Sequence, residues 1–140
     1  MTVDETDKKI IAVLDRDASL GYNEVARKLR LNESTVRVRI RSLSERNVIR
    51  FGIQVDKEQL GFKIEAWLCL DVEPSRLIGL GDVIPSIPGV RMVFWVTGEH
   101  DFVVVTWSAN RAALSKLVDR FVALEGVRKV SPSIILERLK

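Results

Sequence analysis

At 140 residues and 15.8 kDa, the chain suits one compact domain or two small ones sharing a short linker. Its 46% hydrophobic and 29% charged residues exclude disorder and collagen-like repeats, and one cysteine with one histidine excludes an intrachain disulfide, a cysteine-based zinc site and a histidine-pair metal site. The net charge of +3 is too small to name a partner unless it is concentrated somewhere.

The start, Met1-Thr2-Val3-Asp4-Glu5-Thr6-Asp7, is acidic and polar, the reverse of a signal peptide. No apolar run approaches the roughly 18 residues of a membrane span, so a cytoplasmic protein without membrane partners is expected. Residues 4–46 then have helical spacing. Ile10, Ile11 and Leu14 form one stripe, Val25, Ala26 and Leu29 a second, and Val36, Ile40 and Leu43 a third. Breaks at 18–21 and 30–32 give three helices, the last two joined by a very short turn. Asn32 is placed to cap the third with its side chain, and Glu33 suits the first turn. Charge is concentrated here. Residues 1–26 hold 3 basic and 6 acidic groups, residues 27–50 hold 8 and 2, and residues 51–140 balance at 11 and 11.

After Asn47 the pattern becomes β. Residues 48–55 read as one or two short strands bent at Gly52, and 56–62 as a linker or loop. Residues 63–73 alternate, with Ile64, Ala66, Leu68, Leu70 and Val72 on one face. A short helix opens at Pro74 and closes at Pro85. Strands at 90–96 and 102–107, a helix near 111–124 and a strand near 127–136 complete the order βαββαβ. Pro88-Gly89-Val90-Arg91-Met92-Val93 has an echo in Glu125-Gly126-Val127-Arg128-Lys129-Val130, each entering a strand from a helix, as in a split βαβ unit. The organisation expected is α+β: a winged helix-turn-helix over 1–55, a linker over 56–62, and a ferredoxin-like βαββαβ domain over 63–140.

Helices two and three have helix-turn-helix spacing, with the third as recognition helix. At about 100° per residue its core stripe leaves Ser34, Val38, Arg41, Ser42 and Glu45 opposite, flanked by Thr35 and Arg37. Arg39 and Arg46 lie together on a third flank. Short polar residues near the N-terminal end suit base edges, arginines suit phosphate or guanine, and Val38 suits a thymine methyl. Arg50, on the following hairpin, is placed for a phosphate contact from a wing. A merely solvated basic helix is the competing reading; the preceding helices, the tight turn and the local +6 weigh against it.

In the second half, Val93-Phe94-Trp95-Val96 and Phe102-Val103-Val104-Val105 are apolar on both faces. Two helices cover only one face of a four-stranded sheet, so a second cover is required. A second copy, sheet against sheet, is the simplest, with Trp67, Cys69, Trp95 and Trp107 as interface candidates; the first half or a long connection is the alternative. Val96-Thr97-Gly98-Glu99-His100-Asp101 has the residues of a tight turn. It also has those of a small-molecule pocket, with amides near Gly98 for a carboxylate and Asp101 for an ammonium. His100 fits a loop histidine and Cys69 a small packed hydrophobe.

With these residues the chain resembles the Lrp/AsnC family of bacterial and archaeal transcription regulators, also called feast/famine regulators. The resemblance spans nearly the whole length. It runs through Asp4-Glu5-Thr6-Asp7-Lys8-Lys9-Ile10-Ile11, Glu33-Ser34-Thr35-Val36-Arg37-Val38-Arg39-Ile40, Val48-Ile49-Arg50, the 96–101 loop and Ile134-Ile135-Leu136-Glu137-Arg138. It implies a winged helix-turn-helix on DNA and a βαββαβ (RAM-type) module that dimerises, senses amino acids and commonly assembles further to octamers. Ligands then sit between dimers, with Thr97, Gly98, Glu99 and Asp101, and beyond them Ser133 and Ile135, as pocket candidates. No cofactor is implied. Three departures stand out. Arg30 replaces a glycine usual in the turn, so the turn is either not left-handed or strained. Val38 replaces a frequent polar residue, and Ser131-Pro132-Ser133 alters the last strand, where a proline costs a ladder hydrogen bond. Siroheme decarboxylases are similar to the same family, but this chain has only His100 and no clustered His/Arg/Tyr segment after the wing. A pure oligomerisation module that has lost DNA binding is the third reading.

Overall fold

A computed structural model describes residues 2–137 and 139. Arg138, the last residue of the closing motif, lies outside them. Two compact units result, the first ending at Gln54 and the second beginning at Val55.

The first unit holds α1 (Glu5–Arg16), α2 (Tyr22–Leu29) and α3 (Glu33–Glu45). α1 starts at a reciprocal cap: Asp7 N–H donates to Asp4 Oδ1 at 2.8 Å, and Asp4 N–H donates to Asp7 Oδ2 at 3.1 Å. Ile10, Leu14, Val25, Ala26, Val36 and Ile40 form one buried cluster, the three stripes meeting as their spacing requires. Asn32 does occupy the cap position of α3, but its side chain makes no capping bond; only its carbonyl takes part, accepting from Val36 N–H at 3.1 Å. Arg30 closes α2 at φ 55° and ψ 44°, so the turn is left-handed and the strained alternative holds.

Residues 48–55 form no strand. Val48 and Ile49 donate back to Leu43 O, and residues 50–55 join no helix or ladder. Alternating apolar residues are enough for an extended backbone, but a wing also needs a neighbouring strand, and no ladder partner exists among the described residues of this unit. Residues 56–62 are not a free linker either. They fold into a turn closed by Phe62 N–H on Lys57 O, and the Phe62 ring packs 6.0 Å from that of Trp107.

The second unit is the expected βαββαβ: β1 (Ile64–Val72), α4 (Leu77–Val83, extended at both ends by single 3₁₀ turns), β2 (Val90–Trp95), β3 (Phe102–Ser108), α5 (Arg111–Val122) and β4 (Val127–Ile134). All pairings are antiparallel, in the order β2-β3-β1-β4. Ala66, Leu68, Leu70, Val72, Phe102 and Val104 point to the helices and make the core with Leu80, Ile84, Leu114, Leu117 and Phe121. The echoed glycines serve one purpose: Gly89 and Gly126 take φ of 94° and 92° where the chain turns from helix to strand. At Gly126 a Cβ would stand 2.5 Å from the Arg76 side chain.

Strand alternation settles the other face. Trp67, Cys69, Met92, Phe94 and Val103 point away from the helices. Trp107 shares that face but is covered by Phe62 and by the Arg91 guanidinium, 4.3 Å from its ring centre. Trp95 departs from expectation. It pairs with Phe102, its ring 6.2 Å away, and so lies on the helix side of the sheet, where it is nevertheless 63% exposed.

Pro132 also needs correction. Ile135 N–H donates to Glu65 O at 2.9 Å, which makes that pair hydrogen-bonded and, by alternation, leaves Leu68 and Pro132 in a non-bonded pair. The missing N–H therefore points to the open edge of β4, and the β1–β4 ladder loses nothing.

Candidate nucleic-acid interface

α3 buries Val36, Ile40 and Leu43 and leaves Ser34, Arg37, Val38, Arg41 and Glu45 exposed, with Thr35 and Ser42 half-buried. Val38 is 67% exposed, too open for a packing role. Two concavities flank this ridge. One, of about 560 Å³, is lined by Ser34, Thr35, Val38, Arg39, Ser42 and Arg46 together with Asp4 and Asp7. The other, of about 450 Å³, is lined by Arg37, Arg41, Ser44 and Glu45 with Tyr22 and Phe51. Short polar groups and Val38 thus gather on one flank, and Arg37 with Arg41 on the other.

The arginines are not equivalent. Arg39 donates through Nη1 to Asp4 at 2.6 Å and to Asp7 at 2.8 Å, so its charge is spent on the start of α1. The Asp7 amide and then Arg39 hold the Asp4 carboxyl below its ordinary value of 3.8. Arg39 therefore ties α1 to α3, which makes it a poor candidate for a DNA contact. Arg37 pairs with Glu33 and lies 5.5 Å from the ring centre of Tyr22. Arg41 Nε donates to Glu45 Oε1 at 3.1 Å. Arg50 is exposed and makes no ion pair among the described residues. Sequence reasoning missed Tyr22 and the carboxylate partners, although the four-residue spacing of Glu33 to Arg37 and Arg41 to Glu45 announces both pairs.

In the second unit, the 96–101 loop is a closed turn. Val96 N–H donates to Asp101 O, and Asp101 N–H donates to Leu70 O, both at 2.9 Å. Gly98 takes φ 123°, which its residue type alone permits comfortably. Asp101 turns inward: its Oδ2 accepts from Val72 N–H at 2.8 Å, where the β1–β4 register shifts between Asp71 and Val72. His100 Nδ1 lies 2.7 Å from Asp71 Oδ1. Thr97, Gly98 and Glu99 are exposed. Ser133 and Ile135 lie elsewhere, opposite Trp67 and beside Glu65 at the far end of β1. At roughly 3.3 Å per residue, about 10 Å of strand separates Leu70 from Trp67 and about 17 Å separates it from Glu65, so Ser133 and Ile135 stand progressively farther along β1 from the loop.

The described residues contain no group of three or more His, Cys, Asp or Glu able to hold a metal, and no helix long and apolar enough to cross a membrane. An AsnC-type helix-turn-helix model matches residues 3–44, and an Lrp/AsnC ligand binding domain model matches residues 65–140. The chain is 31% identical to the HTH-type transcriptional regulator LrpA of Pyrococcus horikoshii over 140 residues, covering 99% of each, and equally to LrpA of Pyrococcus abyssi. Its fold superimposes on a Neisseria meningitidis transcriptional regulator solved with L-Met (TM-score 0.91, 22% identity, 99% and 93% of the two chains). It likewise matches E. coli AsnC (TM-score 0.86, 18% identity, 100% and 96%).

Proposed function

The chain belongs to the Lrp/AsnC family, and we propose that it is a sequence-specific DNA-binding transcriptional regulator, not an enzyme, acting in the cytoplasm as a homodimer that assembles to octamers. The observation that carries this reading is α3 itself, which shows short polar groups, Val38 and Arg41 to solvent beside a tight turn. Ser34, Thr35, Val38, Ser42, Arg37 and Arg41 face the major groove, and Arg50 holds a phosphate. Arg39 orients the helix. The apolar face around Trp67, Cys69 and Phe94 packs against its copy. An amino acid or similar small molecule binds at the 96–101 loop, and the separation of Ile135 from that loop along β1 favours a site completed by a second chain. A relative's complex with L-Met supports an amino-acid effector.

Fluorescence anisotropy over a range of salt concentrations tests the DNA role. Arg41→Ala weakens binding to a selected duplex far more than to a random one. Arg50→Ala weakens both and flattens the salt slope by about one unit. If neither substitution alters binding, the assignment of α3 fails. A thermal-shift screen of the twenty amino acids tests the effector, since a ligand of the folded state raises its melting temperature. Asp101→Asn is the right control, because its amide oxygen still accepts from Val72 N–H while the charge is gone. A shift that survives in this variant removes Asp101 from the site.

A further inference from the structure

Carboxylates hold the three arginines along α3 in different ways. Arg37 spends its terminal Nη2 on Glu33, and Arg39 spends Nη1 on Asp4 and Asp7. Arg41 is gripped through Nε alone. Among the described residues neither terminal nitrogen of Arg41 has a partner, and the side chain is 79% exposed. In the end-on reading of guanine, the two terminal nitrogens of a guanidinium donate to O6 and N7. Arg41 is the one of the three whose reading end is unspent.

Glu45 is badly placed for other tasks. It sits in the last turn of α3, where the helix dipole favours cations, and no basic residue lies in that turn. Its pair runs arginine first and carboxylate four residues later, the weaker order for helix stability. Glu33, in the first turn with its arginine four residues on, has both the favourable place and the favourable order. A carboxylate beside a DNA-facing arginine also opposes phosphate attraction. What Glu45 does is fix the Nε side of Arg41, so that less freedom is lost when the fork docks.

We propose that Glu45 is a positioning residue for base reading: it buttresses Arg41 so that the guanidinium fork meets a guanine of double-stranded DNA end-on. The proposal rests on α3 being the DNA-reading helix. Duplexes selected from a randomised pool by the unaltered chain, and a random duplex of equal length, are titrated by fluorescence anisotropy against the unaltered, Glu45→Ala, Glu45→Gln and Arg41→Ala chains. Each guanine of the selected duplex is replaced in turn by 7-deazaguanine, which lacks N7. One replacement weakens the unaltered chain on the order of tenfold, and Arg41→Ala is indifferent to it. Glu45→Ala loses several-fold on the selected duplex yet holds the random one as tightly or more so. Glu45→Gln, whose amide oxygen still accepts from Nε, keeps most of the discrimination.

Simple removal of a repelling charge has another signature: both duplexes tighten together. That result overturns the buttress, as does a selected duplex with no guanine sensed through Arg41. Failure of the unaltered chain to bind any duplex in a salt-dependent way is a different outcome. It removes the DNA role of α3, and the buttress with it.

Discussion

Arg30 ends α2 at φ 55°, a conformation that crowds an L-side chain against its own carbonyl at a cost of roughly 1–2 kcal/mol. Glycine has no such penalty, although its freer unfolded chain returns part of the gain. Arg30→Gly is therefore expected to stabilise the first unit by about 0.5–1 kcal/mol, seen as a higher urea midpoint with an unchanged slope. Asn47 shares the left-handed backbone at φ 55°, but its short polar side chain tolerates it, so Asn47→Gly gains less. Arg30 was legible as an anomaly only through the family resemblance, which puts a glycine in that turn; the sequence left open whether the backbone there is left-handed. Asp101 was legible only in part. Its loop has the composition of a turn, yet its bond to Val72 N–H depends on a register shift in β1 that no alternation pattern shows.

At the scale of elements, the cap of α1 and the middle of α3 form one charged network through Asp4, Asp7 and Arg39. The Asp4 carboxyl is held below 3.8 when folded, by the Asp7 amide first and Arg39 next, and this lowered value vanishes on unfolding. The stability it contributes is therefore present in full only well above 3.8 and is lost as pH falls through the lower folded value. Melting curves should show Asp4→Asn below the unaltered chain at pH 6 and the two converging as the pH is lowered well below 3.8; a gap that stays constant over that range would mean that the Asp4 charge contributes nothing. The three-residue spacing of Asp4 and Asp7 is a capping signal that the sequence reading passed over, and Arg39 lies more than thirty residues away with nothing local to link it to them. The same limit applies to residues 48–55, which form no strand among the described residues. Helices α1 to α3 are properties of their own segments, whose stripes can be counted, whereas a strand at 48–55 exists only if another strand adjoins it.

At the scale of the molecule, the proposed dimer makes the open face of the sheet decide how many copies of α3 meet DNA. Trp67 is 46% exposed and Phe94 47% exposed in the single chain, whereas Leu68 and Val104 on the opposite face are fully buried. Replacing Trp67 thus costs the isolated unit little, and any large effect must come from association. Trp67→Asp would place a carboxylate at the centre of the proposed sheet-to-sheet interface, beside Cys69 and opposite Val105 and Ser133 within its own sheet. The expected result is a monomer by sedimentation at micromolar concentration, with a melting temperature that no longer depends on protein concentration. DNA binding should report the same change. A dimer neutralises the phosphates of two half-sites and a monomer those of one, so the slope of log K against log salt should fall to about half. A monomer that kept the full slope would mean that one α3 with its flanking arginines makes all the phosphate contacts. Retained dimers in Trp67→Asp would assign the interface elsewhere and leave this apolar face to another partner.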